Sequence, residues 1–228
     1  MSRSRTLSGA LLAAVCAVSL SACTTQPGVA ALAGSERISD HKVDDVAQAL
    51  CSAQSGAQQT AGAQQLSSRA ARQGALEVLL NASLSRQFGR SRGVSPDQQQ
   101  VSAALAANEQ TISRLPRSRR SAFRDTLKEY AEGQLVLIDI GKASLTTSGT
   151  RNPTDAQSIA AGTRLRDQWV KSHADVTVSP RYGRYSQGAL QLSSGSLSTP
   201  VSAAAVAGAK ADPGQPWVSS LPASQKCS

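Results

Sequence analysis

Aromatic residues are scarce: two Phe, two Trp and three Tyr in 228 residues. A core cannot rest on rings, so Leu, Val, Ile and Ala must fill it, and a chain rich in Ala, Leu, Arg and Gln favours helices. Histidine is rarer still. His41 and His173 stand far apart, each at an expected helix end, and neither belongs to a His-x-x-x-His or Cys-x-x-Cys pattern. No metal site and no cofactor is expected. Past the first 20 residues no apolar run approaches the roughly 20 needed to span a bilayer. A Gly-rich phosphate loop is missing. Gly89-Arg90-Ser91-Arg92-Gly93 fits Gly-x-Ser-x-Gly, but that elbow needs a strand before the serine and a helix after it. Here a helix precedes and a loop follows, so the match is fortuitous. Asp44 and Asp45 are adjacent and point to different parts of a helix, a poor pair for acid–base work. No catalytic residue is expected, and the protein does not read as an enzyme.

What is present begins at the N-terminus. Arg3 and Arg5 give a positive start, residues 7–20 are almost wholly apolar or small, and Leu20-Ser21-Ala22-Cys23 follows. That order describes an export signal with a small-residue cut site. Leu-Ser-Ala-Cys resembles the lipobox of bacterial lipoproteins. The resemblance implies cleavage before Cys23 and lipid on its thiol, which gives stable anchoring when two or more acyl chains are attached. Residues 1–22 are then the signal and residues 23–28 a short tether.

The full chain carries 24 basic and 15 acidic residues; losing Arg3 and Arg5 leaves net +7. An exported, anchored protein meets anionic headgroups and wall polyanions rather than nucleic acid. The basic residues are scattered apart from Arg117, Arg119 and Arg120, which read as a solvated helix start. After Cys16 leaves with the signal and Cys23 is lipidated, Cys51 and Cys227 remain in an oxidising compartment. An intramolecular disulfide, two free thiols and a pairing between chains all stay open.

Along the mature chain, Val29-Ala30-Ala31-Leu32-Ala33 reads as a short strand, Gly34-Ser35 as a turn, and Glu36-Arg37-Ile38 as a second strand. Ser39 or Asp40 caps a first helix with Val43, Val46, Ala47 and Leu50 on one face. Residues 52–65 read as a linker. A second helix spans about 66–90, with Leu76, Leu80, Leu84 and Phe88 as its stripe and Gly93 as its stop. Ser95-Pro96-Asp97-Gln98 offers a capping box for a third helix, with Val101, Ala104 and Leu105 inward, running to about 113. Pro116 breaks the chain. A fourth helix covers about 117–142, with Phe123, Leu127, Tyr130 or Ala131, Leu135 and Ile138 inward, and Gly133 and Gly141 weaken its end. Residues 143–153 read as a loop. Thr154 or Asp155 caps a fifth helix with Ile159, Leu165 and Trp169 inward. Residues 175–179 alternate like a strand, 180–185 read as a turn, and 189–192 as one more strand. Residues 193–228 read as a poorly packed low-complexity tail, in which Trp217 has no evident role.

These segments together resemble the N-terminal helical domain of SurA-type periplasmic chaperones and parvulin foldases, in the lipoprotein form of high-GC Gram-positive bacteria. The resemblance rests on Val29 to Ser39, on Leu76 to Ser95, on Ser95-Pro96-Asp97-Gln98 with Val101, and on Asp175-Val176-Thr177-Val178-Ser179-Pro180-Arg181-Tyr182-Gly183. It covers about residues 28–190. It implies a mainly α fold: a five-helix body over residues 29–192, with strands from both ends pairing in a small sheet. Family members that isomerise prolyl bonds carry an inserted parvulin domain. Here Lys142 and Asp175 are 33 positions apart, short of the roughly 50 residues of the smallest ordinary domains, so the isomerase domain is expected to be absent.

The expected role is that of a lipid-anchored protein on the extracytoplasmic face of the cell membrane, binding unfolded or extended segments of exported proteins without catalysis. Leu79, Phe88 and Tyr130 are candidate walls of a client groove, with core packing as the plainer reading of all three. The alternative role is a structural lipoprotein that holds an envelope complex together through its basic surface.

Overall fold

Gly34 takes a φ of +56°, a conformation that costs glycine nothing. The chain therefore reverses tightly between β1 (Val29–Ala33) and β2 (Glu36–Ser39), which pair antiparallel. The computed structural model describes residues 27–57, 65–192, 199–210 and 212–227. The expected export signal, Cys23 and most of the tether lie outside the described residues.

The body is mainly helical, with a small antiparallel sheet. Six helices follow the hairpin: α1 (Asp40–Ala57), α2 (Ser68–Ser91), α3 (Gln98–Ala107), α4 (Glu109–Arg114), α5 (Arg117–Thr147) and α6 (Asp155–His173). Next come β3 (Val176–Val178), β4 (Arg184–Ser186) and β5 (Ala189–Gln191). The described chain ends with α7 (Ala203–Gly208), α8 (Gln215–Ser220) and a 3₁₀ turn (Ala223–Gln225). β3 pairs antiparallel with β1, Ala31 opposite Val178 and Ala33 opposite Val176, so the order is β2-β1-β3. The two distant strands meet as expected.

α2 is the central helix. Leu76, Leu79, Leu80, Leu84 and Phe88 are fully buried in it, and α1, α5, α6 and the sheet all pack around it. Its polar residues fasten the sheet. Gln87 Nε2 donates to Ala33 O at 2.8 Å, and Gln87 Oε1 accepts from Ser35 N at 3.2 Å. At the other end Gln73 Nε2 donates to Tyr182 O at 3.2 Å. Gly93, at φ +67°, follows the end of the helix.

Several expectations need correction. Five helices were expected; eight are present among the described residues. The expected linker at 52–65 is helix up to Ala57, because nothing in Ser52-Ala53-Gln54 breaks the turn. The third helix starts at Gln98 rather than after Ser95: Asp97 is the cap, accepting from Gln99 N at 2.8 Å, and Pro96 lies before it. Asn108 then splits α3 from α4. α5 runs five residues past Lys142, into the first half of the expected loop, and its buried side is Phe123, Thr126, Gly133, Val136, Leu137 and Gly141. Leu127, Leu135 and Ile138 are only partly buried. α6 buries Ser158, Ala161, Gly162, Arg166 and Val170, while Ile159, Leu165 and Trp169 are half-buried.

Both deviations in the α5 and α6 stripes share one cause. A Cβ on Gly141 would overlap the Ser158 carbonyl, and one on Gly162 would overlap the Leu137 carbonyl. The two helices touch backbone to backbone, so the glycines mark the closest approach rather than a helix end. The cap of α6 is the expected one: Thr154 Oγ1 accepts from Gln157 N at 3.3 Å, and Gln157 Oε1 accepts from Thr154 N at 2.9 Å. Arg184 and Tyr185, expected in a turn, belong to a strand. The expected loose tail, where described, folds into α7, α8 and a 3₁₀ turn with few of its side chains buried. Cys227 joins the main core, and Trp217 lies against Gly208, where a Cβ would press on its ring.

Candidate functional site

Of the three proposed groove residues, Leu79 and Phe88 are buried in the core. They cannot line a client groove, because α2 is enclosed on most of its faces. Tyr130 is 41% exposed and borders a shallow apolar groove of about 330 Å³ between α3 and α5, with Ala104, Leu127 and Leu135. Cys51 and Cys227 are joined, their Cα atoms 4.9 Å apart. Arg119 is taken up by Asp45 at 2.8 Å, and Arg120 donates to the Leu115 and Ser113 carbonyls, so two of the three clustered arginines have partners. His41 pairs with Asp45 at 2.9 Å, and His173 stacks on Trp169. Asp44 and Asp45 diverge as expected, Asp44 going to Arg72.

A surface that the sequence reading missed lies along β3. Ser179 N donates to Ala30 O at 2.8 Å, and Gly34 N donates to Asp175 O at 2.9 Å. Bonding alternates along an antiparallel strand, so Asp175, Thr177 and Ser179 turn their backbone groups to β1. Val176 and Val178 turn theirs to the opposite edge. No described strand pairs with that edge.

A cleft of about 510 Å³ runs beside it, lined by Val176, Val178, Pro180, Arg184, Tyr185 and Leu192. Its far wall is the β4–β5 hairpin, closed by Ser186 opposite Ala189. Gln187 and Gly188, with φ of +55° and +84°, form the turn, the two-residue type that matches strand twist. Gly188 rests on the Asp167 carboxylate, where a Cβ would come within 2.7 Å of Cγ. The hairpin root is fixed too: Tyr182 Oη donates to Asp40 Oδ1 at 3.0 Å, and Arg181 pairs with the same carboxylate.

No protein-family model, curated protein or solved structure matches the chain. The reading of this cleft therefore rests on its own chemistry.

Leu192 is 40% exposed at the rim. The Tyr185 hydroxyl is buried and makes no hydrogen bond among the described residues. Burial pushes its pKa up, with the Asp167 charge adding to this against the Arg166 charge, so it stays a neutral donor at physiological pH. Beneath the hairpin, Arg166 is 4% exposed. It donates to Asn81 Oδ1 at 3.0 Å, Ser85 Oγ at 3.3 Å and Asp167 Oδ1 at 2.7 Å. A buried arginine with every visible partner engaged fixes α6 to α2; it is not a free site. What the cleft offers is a backbone edge that no described strand pairs with, between apolar walls, an arrangement that accepts an extended chain through main-chain bonds. Among the described residues no group of three or more His, Cys, Asp or Glu could hold a metal ion, and no helix is long and apolar enough to cross a membrane.

Proposed function

We propose that the protein is a lipoprotein, anchored through Cys23 on the extracytoplasmic face of the membrane, that holds extended segments of other exported proteins without catalysis. Its body is of the SurA N-terminal type without an isomerase insertion. One observation carries this reading: among the described residues the outer edge of β3 is unpaired, and it lies along an apolar-walled cleft. Main-chain bonding tolerates sequence, which a holder of varied clients requires. Two further features support it. Strands from both ends of the body clasp it at one sheet, and the Pro180-Arg181-Tyr182-Gly183 turn leads directly off β3. The Cys51–Cys227 bridge fits an oxidising compartment.

The test is aggregation of a denatured client with the protein at equal molarity. Slower clumping is expected. Val178→Pro removes an outward N–H while leaving the bonds to β1, and proline is tolerated on such an edge. This variant should lose most of the holding, while Tyr130→Ala retains it. If the unaltered protein never slows clumping, the holding role is wrong. If Val178→Pro holds as well as the parent, the cleft is the wrong site.

A further inference from the structure

The segment after the β4–β5 hairpin is attached in an unusual way. Among the described residues, its hydrogen bonds to the body fall on positions 65–69. Gln65 N donates to Gln215 Oε1 and Gln215 Nε2 donates back to Gln65 O, each at 3.0 Å. Arg69 donates to Gly208 O at 2.6 Å and lies 5.3 Å over the Trp217 ring. At the end, Cys227 N donates to Leu66 O at 2.9 Å, and Lys226 bridges Ser67 in antiparallel fashion. The last residues thus lie on the strip before α2 as an extended chain, through main-chain contacts. Among the described apolar side chains of this segment, only Val218 and Cys227 are buried. One covalent link, Cys51–Cys227, joins it to α1 across 176 positions.

We propose that residues 199–210 and 212–227 belong to a redox-held strap: reduction of Cys51–Cys227 releases it from the strip and lays bare Leu66 and Leu50, which pack against the same core as Cys227. This inference stands apart from the holding role. Few buried side chains and only a handful of hydrogen bonds, most of them half-buried, hold the strap, which places it among the less stable parts of a fold once the covalent link is gone. The link itself suppresses opening, because it closes a very long loop.

The reductant is a dithiol, of the kind carried by thiol–disulfide oxidoreductases. Cys227 is buried and Cys51 is half-buried, so the incoming thiolate attacks Cys51 Sγ. The S–S bond breaks, a mixed disulfide forms on Cys51, and Cys227 leaves as a thiolate that takes up a proton. The second thiol of the reductant then displaces Cys51. Two electrons pass to the protein, and the reductant keeps the new disulfide.

The experiment compares the purified full chain, oxidised, with the same chain reduced by dithiothreitol and capped with iodoacetamide, and with Cys227→Ser. Hydrogen exchange is read at Trp217 to Cys227 and at Leu76 to Leu84 of α2. Exchange in the strap should quicken at least about tenfold on losing the link, while α2 stays protected. A short monothiol pulse should leave its adduct on Cys51. Unchanged strap protection in both altered forms would overturn the proposal. So would loss of protection in α2, which would make the bridge a support of the whole fold rather than the clip of a strap.

Discussion

Tyr182 shows how one residue can fasten distant parts of the chain. Its ring is buried, its hydroxyl reaches Asp40 at the start of α1, and its carbonyl receives Gln73 of α2. Burial, together with the bond to Asp40, pushes its pKa up to about 12 from 10.0. The folded state therefore keeps a proton that the unfolded chain gives up near pH 10. The stability this residue contributes is complete below pH 10 and lost as pH climbs toward 12. In urea titrations at pH 9 and pH 11, Tyr182→Phe should flatten that decline, leaving what Tyr185 adds in the same direction. At pH 7 it should cost about 1 kcal/mol for the lost hydrogen bond. Glu36 works at the acid end. Burial alone would raise its pKa, but hydrogen bonds from Ser83 and Arg90 and the charges of Arg86 and Arg90 bring it below 4.5. Its contribution holds above that value and fades as the carboxyl is protonated.

At the scale of elements, glycine decides how close α5 and α6 come. Gly141 faces the Ser158 carbonyl, whereas Gly74 of α2 has nothing within 4 Å of where a Cβ would sit. The same substitution should act in opposite directions. Gly141→Ala must push two helices apart and should cost about 2–3 kcal/mol. Gly74→Ala should gain about 0.5–1 kcal/mol by lowering the entropy of the unfolded chain. Urea midpoints of the two variants check this.

The same contrast explains what was legible. Strand positions at both ends, the α2 stripe and the Thr154 cap follow from local patterns, and each stands where the pattern placed it. The faces of α5 and α6 do not follow. A hydrophobic stripe finds the side that packs on large residues, but these helices meet through Gly141, Ser158 and Gly162, and Gly133 of α5 lies against Ser85 and Ala82 of α2; such small residues carry little hydrophobic signal. The β3 edge cleft was illegible for a different reason. It depends on which strand is left without a neighbour, a property of the sheet and not of any one segment. The strap was hidden by its small-residue composition, since its order comes from one bond and a few main-chain contacts rather than from periodicity.

For the whole molecule, the proposed membrane attachment runs through Cys23. The chain taken from membranes should weigh more than residues 23–228 by a diacylglyceryl group, with or without a further acyl chain. Cys23→Ser should leave the membrane fraction. Intact-mass spectrometry and fractionation read both, and an unmodified mass for the membrane-bound chain would remove the anchor from the functional proposal.

The clasp has a temporal side. β1 takes β2 on one edge and β3 on the other, and its Ala31 waits for Val178. At roughly 5–20 residues per second of synthesis, about seven to thirty seconds separate the making of these partners. Through that interval the hairpin has one edge unfilled and α2 has no closed sheet to rest on. The protein thus spends its first moments as the kind of half-finished chain that it is proposed to shelter in others, and the arrival of β3 ends that exposure while its own outer edge, unpaired among the described residues, stays open to the next newcomer.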